Sequence, residues 1–149
     1  MTLSESSNEI SFRLSVRRDP VRRKWWLVVP LNVGETGNLV LVPNSVASRS
    51  VITPPAFRRL REAGLIGADI FDFPSGRLSC ILSNVRIADQ AAPDLKVRVR
   101  DVDELLVARD EYVVDGYLGL DYLFGAFTSL TIDTQRLRVT LGLHPRGTA

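Results

Sequence analysis

Apolar and polar residues alternate along much of the chain with the two-residue period of a half-buried β-strand. The alternation is clear in "ISFRLSV" (residues 10–16) and in "DLKVRVRDVDELLV" (residues 94–107). The run "WWLVVPLNV" (residues 25–33) is rich in aromatic and β-branched residues and predicts a further strand, which the turn "GETGN" joins to "LVLV" (residues 39–42). Strands and turns therefore follow each other closely.

Two segments have helical features. Thr53 and Pro54 fit the N-cap and first position of a helix, and Gly64 stands where such a helix commonly ends. The segment "EYVVDGYLGLDYLFGAF" (residues 111–127) predicts a strand that ends at a glycine and enters a second short helix. We expect about eight or more strands and two short helices, a mostly β chain.

The remaining segments complete one domain. "ADIFDFPSGRLSCILSNVRIADQ" (residues 68–90) predicts two strands around a "PSG" turn, and "SLTIDTQRLRVTL" (residues 129–141) predicts a closing hairpin. With 149 residues and 45% hydrophobic content, the chain is long enough for one core. We expect a domain over residues 10–143, a flexible N-terminal tail over 1–9 and a C-terminal tail over 144–149.

Charge and membrane signals point to no special partner. Nineteen basic and seventeen acidic residues give a formal net charge of +2, too balanced to predict a nucleic-acid or membrane partner. The basic cluster Arg17, Arg18, Arg22, Arg23 and Lys24 is interpreted as a solvated hairpin end rather than a phosphate site, because no stacking aromatics are interleaved with it. The N-terminus lacks a signal-peptide pattern, which predicts a cytoplasmic protein.

Cysteine and histidine offer little chemistry. Cys80 is the only cysteine and His144 the only histidine, so neither an intrachain disulfide nor a conventional zinc site can form. No motif surrounds the pair, and Cys80 is interpreted as a small strand residue. No metal or other cofactor is implied.

Two segments together resemble the retropepsin-like aspartic proteases. They are "ASRSVIT" (residues 47–53) and "DGYLGLDYLFGAFTSLTIDTQRLRVTL" (residues 115–141), and the likeness runs from about Trp25 to Leu141. The resemblance implies a closed β-barrel lobe with one or two short helices that pairs as a homodimer around a peptide groove. It also implies that Tyr117, Leu118 and Gly119 form the ψ-loop signature behind the catalytic turn.

Laid on this sequence without a gap, the family's catalytic Asp falls on Asn44. Its Thr or Ser falls on Ser45, its Gly on Val46, and its Ala-Ser on Ala47 and Ser48. The resemblance implies that Ser45 braces the two turns across the dimer axis and that Ala47 and Ser48 bind peptide. It likewise implies that the flap over the groove, with Ser75 and Gly76 near its tip, contacts the peptide.

The substitution at Asn44 removes the chemistry of this family. Aspartic proteolysis needs two carboxylates that share a proton, and an asparagine does not ionise. A register slip that places Pro43 at the acid position does not help, because no Asp or Glu occurs between Glu35 and Glu62. Val46 in place of glycine adds a β-branched residue to a turn that favours free backbone angles. We therefore predict an inactive protease fold that binds an extended peptide or acts as a dimeric interaction module.

The alternative is an active aspartic endopeptidase. It needs a non-standard acid, a carboxylate from a partner chain, or deamidation of Asn44 to aspartate. Candidate acids within the chain are Asp133 in "IDTQ", Asp115 and Asp121 around Gly119, and Asp72 near the flap. Each has a simpler interpretation as a turn, a helix start or a solvated residue.

Overall fold

The computed structural model describes residues 8–66, 68–72 and 77–144, with side chains described outside 68–72. In this part of the chain there are sixteen strands, two α-helices and one 3-10 helix. In chain order they are β1 (Glu9–Arg13), β2 (Val16–Asp19), β3 (Lys24–Leu27), β4 (Val29–Val33), β5 (Gly37–Pro43), β6 (Val51–Ile52), α1 (Pro54–Glu62), β7 (Ala68–Asp72), β8 (Arg77–Leu82), β9 (Val85–Ile87), β10 (Gln90–Ala91), β11 (Leu95–Val99), the 3-10 helix (Asp103–Leu105), β12 (Leu106–Ala108), β13 (Glu111–Tyr112), β14 (Gly116–Leu118), α2 (Leu120–Ala126), β15 (Phe127–Asp133) and β16 (Arg138–Leu143). The predicted mostly β class is confirmed.

Most strands belong to one sheet. Among the described residues its order is β10-β9-β4-β5-β14-β6-β11-β8-β7, and a second sheet has the order β1-β16-β15. The inward faces of both sheets supply the main core, which includes Ile10, Leu41, Ile52, Leu95 and Leu141. Burial of these aliphatic side chains is the main stabilising contribution to the fold.

Strand β14 lies between two strands that are close neighbours in the chain. It pairs in parallel with β5 and antiparallel with β6, so that Leu118 lies opposite Pro43 and Gly116 opposite Ile52. A Cβ atom on Gly116 would overlap the carbonyl oxygen of Val51, which explains the glycine here. This arrangement puts the "YLG" segment directly behind the Asn44 turn.

Two predicted strands are shorter than expected. "ISFRLSV" forms β1 only as far as Arg13, and Val16, 46% exposed, begins β2 instead. "WWLVVPLNV" is divided at Val28, whose N–H donates to the carbonyl oxygen of Ser15 at 3.0 Å. The first part then pairs with β2 in a hairpin of its own, and only the second part joins the main sheet. A continuous apolar sequence does not show where the chain changes from one paired strand to another.

Helix α1 begins and ends as its caps predict. The Thr53 hydroxyl accepts from the Ala56 N–H at 3.4 Å, and Pro54 and Pro55 occupy the first turn, where no helical N–H partner is needed. Gly64 has a φ of +74°, which glycine adopts readily, and the Leu65 N–H donates to the Leu60 carbonyl oxygen at 2.9 Å.

The two ends of the described chain meet in one sheet. Strand β1 pairs with β16 within the chain, for example Phe12 opposite Val139, and β15 forms the other edge. Strands β7 and β8 pair as a hairpin in which Asp72 lies opposite Arg77. The predicted flap residues Ser75 and Gly76 lie outside the described residues. None of the described helices has the length and apolar character of a membrane span.

Candidate functional site around the Asn44 turn

Asn44 directly follows β5 and is fixed at both its backbone and its side chain. Its N–H donates to the Leu118 carbonyl at 2.8 Å. Its Oδ1 accepts from the N–H groups of Val46 and Ala47 at 3.0 and 3.3 Å. The carboxamide oxygen therefore closes an Asx-type turn, as short polar side chains do after strands. An aspartate would accept the same two bonds, but the asparagine leaves a neutral NH₂ as its other group.

The segment from Gly119 to Asp121 supports this turn from behind. The N–H groups of Leu120 and Asp121 donate to the carbonyls of Ala47 and Ser48 at 2.8 and 3.1 Å. A Cβ atom on Gly119 would lie 2.5 Å from the carbonyl carbon of Arg49. Only glycine permits this approach of two backbones, so Gly119 is required by packing against the turn.

The outer residues of the turn are open to solvent. Ser45, Val46 and Ser48 are exposed, and Val46 is 91% exposed. Val46 is not among the residues with positive φ, so the turn uses backbone angles that a β-branched residue adopts. The expected conflict between this turn and a residue other than glycine is therefore absent at Val46, whose side chain instead occupies the surface beside Ala47 and Ser48.

Asp115 and Asp133, two of the candidate replacement acids, each have a structural role. Asp115 Oδ2 accepts from the Val40 N–H at 2.8 Å, and its Oδ1 lies 3.3 Å from Arg59. Asp133 Oδ1 closes the final hairpin by accepting from the N–H groups of the two residues after Thr134, at 3.0 and 2.9 Å. Asp72 is the last residue of β7.

Asp121 likewise has a structural role. Its two oxygens accept from the hydroxyl and the N–H of buried Ser50 at 2.9 and 3.2 Å. Within the described residues, no three His, Cys, Asp or Glu side chains are grouped as a metal site. At the turn itself, the side chains of Asn44, Ser45 and Val46 carry no group that ionises near neutral pH.

Comparison with solved structures identifies the architecture. A retropepsin-like aspartic protease from Rickettsia conorii matches with a TM-score of 0.51 and 16% sequence identity, over 91% of this chain and 90% of that one. The protein has a retropepsin-like fold. The retroviral protease-like domain of Ddi1 from Leishmania major also matches, with a TM-score of 0.47 and 17% identity, over 83% of this chain and 98% of that one. No protein-family model and no curated protein sequence matches the chain.

In this retropepsin-like fold, Cys80 and His144 have separate environments. Cys80 is fully buried in β8, as its interpretation as a strand residue predicts. His144 follows β16, and its Nε2 lies 3.2 Å from the Phe124 carbonyl oxygen. Cys80 thus lies in the core, whereas His144 is exposed.

The cluster from Arg17 to Lys24 forms the β2–β3 hairpin, and its aromatic neighbours alter the earlier interpretation. Arg18 lies 5.5 Å from the centre of the Trp25 ring, and Lys24 lies 4.2 Å from that of Trp26. The premise that no stacking aromatics are interleaved with the cluster is therefore wrong for the folded hairpin. Pairing of β2 with β3 places Arg18 opposite Trp25, and Lys24 lies two residues before Trp26 on the same strand. Both cations interact with rings of their own hairpin.

Buried Asp19 organises this hairpin. Burial opposes ionisation of its carboxyl group, but bonds from the Arg22 N–H, the Arg22 guanidinium, the Val21 N–H and the Trp26 indole outweigh it and lower the pKa of Asp19 to about 2. The shortest of these bonds, from Val21, is 2.9 Å. Asp19 therefore remains an anion inside the hairpin.

One feature beside the Asn44 turn was not singled out in the sequence. Five basic side chains line two cavities at and next to the turn. They come from the segment before β6, from β8, and from β11 and the residue after it: Arg49, Arg77, Lys96, Arg98 and Arg100. The only sequence signal was the alternation "KVRVR" in residues 96–100, which indicates one cationic face of a strand but not what lies next to it.

Proposed function

We propose that the protein is a dimeric retropepsin-fold module that binds an extended peptide and does not hydrolyse it. The observation that carries this proposal is Asn44, whose carboxamide holds the turn through Val46 and Ala47 where the family resemblance places the catalytic acid. A pair of such groups can bind a water molecule but cannot deprotonate it. The engaged states of Asp115 and Asp121 support the same conclusion, since each already satisfies backbone donors.

Peptide binding is supported by the open surface around the turn. Val46, Ala47 and Ser48 border a cavity of 290 Å³ that also reaches Arg98 and Tyr117. An extended peptide can bind such a surface through its main chain, while adjacent side-chain pockets give preference for sequence. Ala47 and Ser48 are thus the described residues that we assign to peptide contact.

Dimerisation is supported by apolar surface next to the same turn. Phe124 is 72% exposed, and Leu130 and Ile132 on edge strand β15 are 38% and 45% exposed. An apolar cavity of 200 Å³ connects Ser45 with Phe124 and Leu130. Exposed apolar clusters and unpaired strand edges favour association, and a second copy would cover both at once. Ser45 would then lie at the interface.

A binding assay tests the peptide proposal. A diverse library of extended peptides is titrated against the wild type, Ser48→Trp and the control Ser83→Trp, in which an exposed serine lies in the turn between β8 and β9. We expect saturable binding that Ser48→Trp abolishes, because the indole fills the cavity, and that Ser83→Trp retains. Absence of saturable binding by the wild type, or equal effects of the two variants, contradicts the proposal.

The active-enzyme alternative has its own readout. Deamidation of Asn44 to aspartate would raise the mass by about 1 Da. Intact-mass measurement and peptide mapping of the purified protein detect this change and assign it to a residue. Cleavage activity that rises with the deamidated fraction would support the enzyme. Cleavage by material with wholly unmodified Asn44 would instead point to an acid from elsewhere.

A further inference from the structure

A row of basic side chains follows the outer face of β11. Leu95 and Val97 are buried, while Lys96, Arg98 and then Arg100 point to the opposite face, as strand alternation requires. Antiparallel pairing places Ser79 of β8 opposite Arg98, and parallel pairing places Val51 of β6 beside it. The row therefore runs along β11, between β8 and β6, and its Arg100 end borders the same cavity as Val46 of the Asn44 turn.

Two adjoining cavities turn this row into a groove. One of 320 Å³ is bordered by Arg77, Lys96 and Asp121, and one of 290 Å³ is bordered by Arg100. Arg49 and Arg98 border both cavities, so the two lie side by side. We call this surface the basic groove and define it by its five cations: Arg49, Arg77, Lys96, Arg98 and Arg100.

The basic groove carries an excess of positive charge. In the described part of the chain, none of its five cations forms an ion pair with a carboxylate, whereas Arg22, Arg59 and Arg136 each have an aspartate partner. Asp121, which borders the larger cavity, accepts two hydrogen bonds from Ser50, and its charge only partly offsets the effect of the cations on Arg98. Burial, and then the charges of Arg77, Arg49 and Arg100, lower the pKa of Arg98. Mutual repulsion of this kind is relieved by an anionic ligand.

The side chains of the groove and their spacing favour a peptide over a nucleic acid. Single-stranded nucleic acids bind through rings on which bases stack, and Tyr117, the aromatic residue at the groove, is only 5% exposed. Its hydroxyl is also within 2.6 Å of the Arg100 guanidinium, which donates to it. An extended peptide instead presents every second side chain to one side, with the same period as Lys96, Arg98 and Arg100.

We propose that the basic groove selects an extended peptide with acidic side chains at alternate positions. The inference rests on the proposed peptide-binding function and adds the chemical class of the ligand. Each ligand carboxylate meets a guanidinium or ammonium group of the β11 row, and Arg49 and Arg77 flank the row from either side. Charge-assisted hydrogen bonds then supply preference for acidic sequences.

The test uses the full chain and two fluorescein-labelled peptides of the same length, with the repeats Glu-Val and Gln-Val. Fluorescence anisotropy at low and at physiological salt measures both affinities. We expect the acidic peptide to bind at least about tenfold more tightly than the neutral one. The advantage should decrease with salt, because the groove is open to solvent.

Variants locate the effect. Arg98→Gln and Lys96→Gln should each weaken binding of the acidic peptide about tenfold, and Arg98→Lys, which keeps the charge, should weaken it less. The matched control is Arg58→Gln, an exposed cation of α1 with the same loss of charge. We expect it to change affinity less than about twofold. Thermal melts of each variant verify folding.

The remaining outcomes separate this inference from the proposed function. Equal affinity for both peptides overturns the acidic preference and leaves peptide binding intact. Binding of neither peptide, together with no binder from the diverse library, overturns both. Equal losses of affinity for the acidic peptide in Arg58→Gln and Arg98→Gln indicate general charge attraction and overturn the assignment of the binding site to the basic groove. An oligonucleotide that binds more tightly than the acidic peptide, in a manner abolished by Arg98→Gln, overturns the peptide as ligand.

Discussion

Asp121 binds Ser50 twice, at its hydroxyl and at its backbone N–H, with distances of 2.9 and 3.2 Å. The Ser50 hydroxyl oxygen in turn accepts from the Gly119 N–H at 3.0 Å. One buried side chain thus joins the start of α2 to the segment that follows the Asn44 turn. The turn is held in place by this connection as well as by its own hydrogen bonds.

Ser50→Ala should destabilise the protein by about 1–3 kcal/mol, because it leaves the buried Gly119 N–H without its acceptor. Urea unfolding followed by circular dichroism measures the change. Ser48→Ala is the control, since Ser48 is exposed and the same loss of a hydroxyl should cost less than about 0.5 kcal/mol there. Equal losses of stability in the two variants would contradict the role of Ser50.

Gly119→Ala should also destabilise the fold, by about 1–3 kcal/mol, because the new Cβ meets the Arg49 backbone, which cannot move aside as a flexible side chain does. Gly125→Ala is the matched control. A Cβ there meets nothing within 4 Å, and alanine favours the helix, so we expect no loss or a gain of up to about 1 kcal/mol. Thermal and urea unfolding of both variants test the contrast.

The segments that resemble the retropepsin-like proteases could be recognised from sequence because each of them is local. "YLG" and "ASRSVIT" kept their order and spacing, and the fold places Leu118 and Gly119 behind the turn that contains Asn44. The caps of α1 could also be predicted from sequence, since Thr53 and Gly64 interact with residues only a few positions away in the chain. Local patterns of this kind need no knowledge of the tertiary contacts.

Features that depend on pairing between strands distant in the chain could not be predicted from the sequence. The division of the apolar run at Val28 follows from its bond to Ser15 and from the separate β2–β3 hairpin. The basic groove arises because β6 and β11 pair in parallel, which brings Arg49 near Arg98. A run of apolar residues or an alternating "KVRVR" does not specify its neighbour strand.

Asp19 makes stability depend on pH in the acid range. Its folded-state pKa of about 2 lies below the ordinary value of 3.8, so the unfolded chain binds more protons between these values. The stabilisation is complete above about pH 4 and is lost as pH falls through about 2. Asp19→Asn should lower stability at neutral pH and reduce the slope of stability between pH 4 and 2. Unfolding followed by tryptophan fluorescence measures the stability at neutral pH and its slope with pH, since the Trp26 indole donates to this carboxylate. An unchanged slope would contradict the assignment.

Phe124→Asp should convert the proposed dimer to a monomer. The side chain is 72% exposed and lies with Leu130 around the apolar cavity next to Ser45, so a charge there would be desolvated at the interface. Light scattering after gel filtration at micromolar concentration gives the mass. Val21→Asp, at a residue 58% exposed in the β2–β3 turn, should leave the mass unchanged. A monomeric wild type would contradict the dimer.

The most direct test of the account is a proteolysis assay that compares the wild type with Asn44→Asp and with Asn44→Asp combined with Val46→Gly. The substrate is a diverse peptide library from acidic to neutral pH, with and without a transition-state mimic of aspartic proteases. We expect no cleavage by the wild type and inhibitor-sensitive cleavage by the double variant, because it restores the shared carboxylates and removes the exposed Val46 side chain from the surface of the turn. Inhibitor-sensitive cleavage by wild-type protein with unmodified Asn44 would contradict the central claim.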